Sequence, residues 1–229
     1  MRSTPAQHFA ARSDDAELVR RARARDDTAF RTIMERHNRR LYRLARSILQ
    51  NDSEAEDAVQ EAYVNAFAHL GGFRGDSSLV TWLSRITINE ALERLRRVRS
   101  AAELDTIEVQ RAEAQIIKLP QTVTSDDPER TMAQRKILHL VERTIDTLPE
   151  IFRIVFMTRV IEGMSVEETA ELLGIQPETV KTRLHRARRL VREEPDKHIG
   201  PVLMDAFPFA GGRCERMTNA VLQRLNRRA

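Results

Sequence analysis

Apolar residues recur at spacings of three and four along most of this 229-residue chain, which gathers them on one face of a helix. The longest run carries Phe30, Ile33, Met34, Leu41, Leu44, Ile48 and Leu49 after the capping candidates Asp26 and Asp27, and Asn51-Asp52 breaks it. Ahead of it, Leu18, Val19 and Ala22 predict a shorter helix capped by Asp14 or Asp15, with residues 1–13 as a flexible start. A third helix is predicted to open on a capping box of Ser53 and Glu56 and to bury Ala55, Val59, Ala62, Tyr63, Ala66 and Phe67. After the loop GGFRGDSS (71–78), a fourth helix capped by Ser77 or Ser78 reaches about Arg99. Its apolar positions make no single stripe. Leu79, Leu83 and Ile86 face one way and Ile88, Leu92 and Leu95 nearly the other, so it should be covered on different sides along its length.

Periodicity lapses over residues 100–127, which turn acidic at Glu103, Asp105, Glu108, Glu113, Asp126 and Asp127 and read as a linker. Pro128 then opens a helix with Met132, Leu138, Val141, Ile145 and Leu148, and Pro149 another with Phe152, Val155, Phe156 and Val160, ended by Gly163. Ser165 and Glu168 form a capping box for a short helix from Val166 to Leu173; Gly174 supplies the turn and Pro177 opens the next helix. On that helix Val180, Leu184, Ala187, Leu190 and Val191 share a packing face. Glu178, Thr182, His185 and Arg189, flanked by Lys181, Arg186 and Arg192, lie opposite. This is the spacing of a helix-turn-helix. Past Pro195 the pattern fades, then resumes in a last helix from about Glu215 with Met217, Val221, Leu222 and Leu225, expected to pack on the second domain. The fold class is therefore all-α: two small helical domains (14–99 and 128–194) joined by a flexible acidic linker (100–127), the second a helix-turn-helix domain, plus a short C-terminal helical tail within 195–229.

Composition supports this picture. Gly and Pro number only 8 each, which favours long helices over a turn-rich sheet protein. A lone cysteine, Cys214, excludes an internal disulfide and suits a reducing compartment. No stretch nears the roughly 18 apolar residues of a membrane span, and MRSTPAQHFAARSDD lacks the apolar core of a secretion signal. A cytoplasmic protein without membrane insertion is expected. Cys214 and His198 have no metal-ligand spacing, and the phosphate-binding loop, HExxH and nucleophile-elbow patterns are missing, so no metal, cofactor or catalytic residue is expected.

Charge matters where it is concentrated, since the net value is only +4. The front of the helix from Pro177 suits a DNA major groove; a surface helix whose charges merely face water is the alternative. On the fourth helix Trp82, Arg85, Asn89 and Arg96 line one flank, with Arg94, Arg97 and Arg99 near its end. That mixture of indole, amide and guanidinium groups suits phosphate and base contacts. Phe73 and Arg74 either stack on and pair with an unstacked base or form a plain turn with Phe73 in the core. Asp57, Gln60, Glu61 and Asn65 make an acidic, amide-rich outer face on the third helix, which by composition alone is a solvated one.

Three segments in this order, SEAEDAVQEAYVNAF (53–67), FRGDSSLVTWLSRITINEALERLRR (73–97) and LPEIFRIVFMTRVIEGMSVEETAELLGIQPETVKTRLHRARRLVRE (148–193), resemble the sigma-70 family of bacterial RNA polymerase sigma factors, in its small extracytoplasmic-function (ECF) group. A helix-turn-helix alone is common; its pairing with the upstream segments is specific. The resemblance covers about residues 14–194 and implies a promoter-specificity subunit, with sigma region 2 in the first domain and region 4 in the second. It implies that Asp57, Gln60 and Glu61 bind the β′ clamp helices of core RNA polymerase, with the β subunit as a further partner. It places −10 recognition and melting on Phe73, Arg74, Trp82, Arg85, Asn89, Arg96 and Arg97. It places −35 recognition on Glu178, Thr179, Lys181, Thr182, His185, Arg186 and Arg189. An anti-sigma factor is the implied regulatory partner, and the linker resembles the family's segment threaded near the RNA path. A stand-alone helix-turn-helix regulator, whose first domain dimerises or senses a ligand, is the competing reading.

Overall fold

The computed structural model describes residues 5–103, 141–191 and 212–227, with side chains over 14–98 and the two later stretches. In chain order its α-helices are α1 (Pro5–Arg23), α2 (Asp27–Leu49), α3 (Asp52–Ala68), α4 (Leu79–Glu103), α5 (Glu150–Phe156), α6 (Val166–Leu173), α7 (Pro177–Val191) and α8 (Gly212–Asn226). A 3-10 turn at Leu70–Gly72 and a π-helical turn at Met157–Ile161 add to these, and residues 141–146 are helical. The acidic linker beyond Glu103, the helix start at Pro128 with Met132 and Leu138, Arg192, His198 and the segment around Phe207 and Phe209 lie outside the described residues. The chain divides into two compact units, Met1–Leu95 with Phe209–Ala229, and Arg96–Pro208.

In the first unit α1 starts at Pro5, ahead of the Asp14/Asp15 cap that the sequence offers. Asp26 caps α2, its Oδ1 accepting the N–H of Thr28 at 2.8 Å and of Ala29 at 3.3 Å. The cap of α3 is Asn51 rather than Ser53. Its extended backbone turns the side-chain oxygen onto the Glu54 N–H at 3.0 Å, which places Ser53 already inside the helix. The α3 stripe is buried as expected, and Val64 joins it from another side. Phe67 ties the pair together, with ring centroids 4.4 Å from Phe30 and 5.5 Å from Tyr63.

The two-sided covering expected of α4 is not what forms. Leu79, Leu83, Ser84, Thr87, Ile88 and Ala91 make one broad buried face, while Ile86, Leu92 and Leu95 are half-buried at its edges or beyond. Small polar residues fill the gap between the two apolar sets. Thr87 is admitted because its hydroxyl donates to the Leu83 carbonyl at 2.9 Å. Ser78 is the cap, accepting the Thr81 N–H at 3.2 Å.

The C-terminal helix also departs from expectation: α8 packs on α2 and α3 of the first unit, not on the second domain. Met217, Val221 and Leu222 are buried. Arg213 donates to Tyr42 Oη at 2.9 Å, Asn38 donates to Cys214 Sγ at 3.0 Å and Thr218 Oγ1 at 3.5 Å, and Arg31 donates to Asn219 Oδ1 at 3.0 Å. As α8 ascends, its partners on α2 descend, so the two run antiparallel. An amphipathic pattern names the face to be buried but not the surface that buries it.

In the second unit Val141, Ile145 and Leu148 are buried, as are Ile154, Val155 and Phe156 of α5 and the π-turn residues Met157, Thr158 and Ile161. The helix predicted from Pro149 to Gly163 thus widens at Met157: Glu162 N–H reaches back five residues to the Met157 carbonyl at 2.9 Å. Arg153 is buried, and its Nη1 donates to the carbonyls of Asp146 at 3.0 Å and Leu148 at 2.7 Å. Gly163 closes the segment at φ 64°.

One acid sensitivity follows from α2. Burial, helped by the charges of Arg40 and Arg36, pushes His37 down to about 4. A depressed histidine is neutral in the folded chain while the unfolded chain gains a proton below its ordinary 6.5. Stability from this group is therefore complete above pH 6.5 and lost towards pH 4, by about 3 kcal/mol in all. Urea unfolding of the first unit should show this slope, and His37→Gln should flatten it relative to the unaltered chain.

Candidate nucleic-acid and protein interfaces

The helix-turn-helix is built from α6 and α7. Ser165 accepts the Glu168 N–H at 3.0 Å while Glu168 accepts the Ser165 N–H at 2.6 Å, completing the capping box. Gly174 takes φ 63°, and the Ile175 N–H returns to the Ala170 carbonyl at 3.0 Å. Val180, Leu184, Ala187 and Val191 are buried and Leu190 half-buried, so α7 is oriented as its periodicity predicts. Glu178, Lys181, Thr182, His185, Arg186 and Arg189 are exposed; Thr179 is half-buried. Lys181 pairs with Glu178 at 2.7 Å, and the Thr182 hydroxyl donates to the Glu178 carbonyl at 2.9 Å. The front that remains to meet an anion is carried by His185, Arg186 and Arg189.

Along α4, the flank of Trp82, Arg85, Asn89 and Arg96 lies opposite the helix's buried face. Trp82 and Arg85 are half-buried, and Asn89, Arg96 and Arg97 are exposed. The structure brings Phe73 onto this flank: its ring is half-buried and sits 5.3 Å from Trp82, tilted by 50°. The loop is pinned by Arg23, which donates to the Phe73 carbonyl at 2.7 Å and the Leu70 carbonyl at 3.3 Å. Arg74, one residue on, is exposed. Together these form an aromatic pair bordered by guanidinium and amide groups.

The third set does not form an evenly solvated face. Asp57 is exposed and pairs with Arg94 of α4 at 3.3 Å, and Arg94 also holds Glu54 at 2.5 Å. Glu61, half-buried, accepts a hydrogen bond from Arg224 of α8. Arg213 of α8 pairs with Glu56 at 2.7 Å and reaches Asp52 at 3.4 Å. Burial alone raises the Asp52 carboxyl, but hydrogen bonds from Arg46 and Tyr42 and the nearby Arg213 charge take it below its ordinary value. Burial and the Asp52 charge push Tyr42 up to about 12. Nothing local in the sequence marks Arg213 and Arg224 beyond their place flanking the apolar stripe of α8. Among the described residues no group of three or more His, Cys, Asp or Glu could hold a metal, and no helix is long and apolar enough to cross a membrane.

A helical unit with two separate polar faces, followed by a helix-turn-helix unit, defines a two-module protein of the DNA-directed class. Residues 33–101 match Sigma-70 region 2 and residues 138–191 match Sigma-70, region 4. The chain is 34% identical to the RNA polymerase sigma-H factor of Pseudomonas aeruginosa over 194 residues, covering 84% of this chain and 97% of the relative. It is 35% identical to the ECF RNA polymerase sigma factor SigM of Mycobacterium tuberculosis over 191 residues (82% and 89%). It is 31% identical to the ECF RNA polymerase sigma-E factor of Escherichia coli over 193 residues (82% and 96%). Among solved structures, that of CnrH in complex with the cytosolic domain of CnrY superposes with a TM-score of 0.54 at 26% identity, covering 78% of this chain and 94% of that one. The chain belongs to the sigma-70 family of RNA polymerase sigma factors, in its ECF group. Helix α8 lies beyond both matched regions.

Proposed function

We propose that this protein binds core RNA polymerase, directs it to specific promoters through −10 and −35 recognition, and promotes strand opening for transcription initiation. The observation that carries the reading is the Phe73–Trp82 pair, on the flank of α4 along which Arg85, Asn89 and Arg96 follow. Unstacking a base step costs a few kcal/mol, and stacking on an aromatic side chain returns about 1–3 kcal/mol per base, so captured −10 bases can hold the strands apart without ATP. Asp57, Gln60 and Glu61 on α3 dock the β′ clamp helices, and α7 reads the −35 element with His185, Arg186 and Arg189 at its front. The domains are residues 14–99 and 128–194, with 100–127 as the linker. The neighbour CnrH was solved in complex with the cytosolic domain of CnrY, which supports a protein partner as regulator, in the role of an anti-sigma factor, and action in the cytoplasm.

Pull-down on core polymerase followed by run-off transcription tests this. Specific transcripts are expected only with polymerase and this chain together; tight promoter binding by the chain alone would favour the stand-alone regulator. Arg186→Ala should lower −35-dependent transcription about tenfold, the size of one lost base contact, and less at higher salt, where a cationic contact is worth less. On a promoter with a scrambled −35 element the substitution should cost nothing further. An equal loss there would take Arg186 out of −35 reading.

A further inference from the structure

Resting on the docking role proposed for α3, we infer that helix α8 is a built-in competitor of core RNA polymerase for that face, and that full docking requires α8 to leave α3. Of the three docking residues, Glu61 already accepts a hydrogen bond from Arg224 of α8. One turn and more towards the start of α3, Arg213 takes up Glu56 and Asp52. Val64, four residues after Gln60 and three after Glu61, lies off the stripe that faces α2 and is nonetheless 0% exposed. The face thus has an occupant of defined chemistry: two guanidinium groups on carboxylates, around the apolar residues Met217, Val221 and Leu222. A polymerase surface that binds Glu61 must displace Arg224.

The occupancy is partial, and this makes α8 displaceable. Asp57 pairs with Arg94 of α4, not with α8, so it remains available as a first contact. Arg224 and Glu61 keep 34% and 37% of their side-chain surface exposed, so water weakens the pair that must break. A short peripheral helix of this kind opens more readily than a central one. Because α8 belongs to the same chain, it returns at high local concentration, and polymerase affinity is reduced by the fraction of molecules in which α8 is seated.

The test uses the full chain. In Arg213→Glu/Arg224→Glu, like charges face Glu56, Asp52 and Glu61, and affinity for core polymerase should rise about tenfold as the seated fraction falls. In the unaltered chain, hydrogen exchange should show the α8 amides losing protection on binding polymerase while those of α2 keep theirs, a readout that does not depend on the variant folding. Asp57→Lys separates the two levels. Unchanged or weaker affinity of the double variant, with Asp57→Lys still blocking association, overturns the competition while leaving the α3 reading in place. Retained α8 protection in the complex also overturns it, making α8 part of the docked surface instead. Association that survives Asp57→Lys removes the α3 reading and the competition with it.

Discussion

Asp57→Lys is expected to weaken association with core RNA polymerase by about a hundredfold or more while the first unit stays folded. Breaking one close charge pair in a protein interface costs about 2–5 kcal/mol, and reversal adds repulsion; each 1.4 kcal/mol is about tenfold in affinity. The cost within the chain is far smaller. Asp57 keeps 52% of its side-chain surface exposed and meets Arg94 at 3.3 Å, a pair worth under about 1 kcal/mol. Arg94 retains Glu54 at 2.5 Å after the change. The one tryptophan, Trp82, lies in the first unit against Phe73, so its unchanged emission would report an intact fold beside the lost binding. Asp57→Asn, which removes charge without reversing it, should fall between. Full association of the lysine variant would detach α3 from the polymerase altogether.

How much of this was legible in the sequence depends on how many local signals agree. In α6 and α7 a capping box, a left-handed glycine, an N-terminal proline and a 3.6-residue period coincide, and the helices form with the expected faces. Asn51 and Ser53 compete within two residues for one cap, and backbone geometry alone decides for Asn51. On α4 the large apolar residues mark only the borders of the buried face, because the small Ala91 and the hydroxyl residues Ser84 and Thr87, which the periodicity counts as polar, fill its middle. For the candidate surfaces, exposure on α7 and the flank of Trp82 follows from each helix's own period. Arg213 and Arg224 do not, because their carboxylate partners lie more than 150 residues away in the chain. Long-range pairing leaves no mark on local spacing.

Arg153→Ala should unfold the helix-turn-helix unit at physiological temperature and leave the other unit standing. In a helical pattern an arginine reads as a solvent-facing residue, yet Arg153 is 4% exposed and bonds the carbonyls of Asp146 and Leu148, where the helical stretch 141–146 ends. It supplies donors and positive charge to a helix C-terminus that has no intrahelical donors left. Alanine strands these acceptors, at about 1–3 kcal/mol each, and also removes the buried stem of the side chain. A total near 4 kcal/mol approaches the whole stability of a unit this small and corresponds to a fall in its midpoint of about 15 °C or more. Arg153→Lys, with a charge and donors but no fork, should recover part of the loss. The readout is selective, because Trp82, Tyr42 and Tyr63 all belong to the first unit. Far-UV circular dichroism should show a new early transition to which tryptophan and tyrosine fluorescence are blind. At a temperature between the two transitions, −35-dependent transcription should be lost while polymerase association through α3 persists. Coincident transitions in both signals would mean that the two units unfold together and that Arg153 holds more than its own.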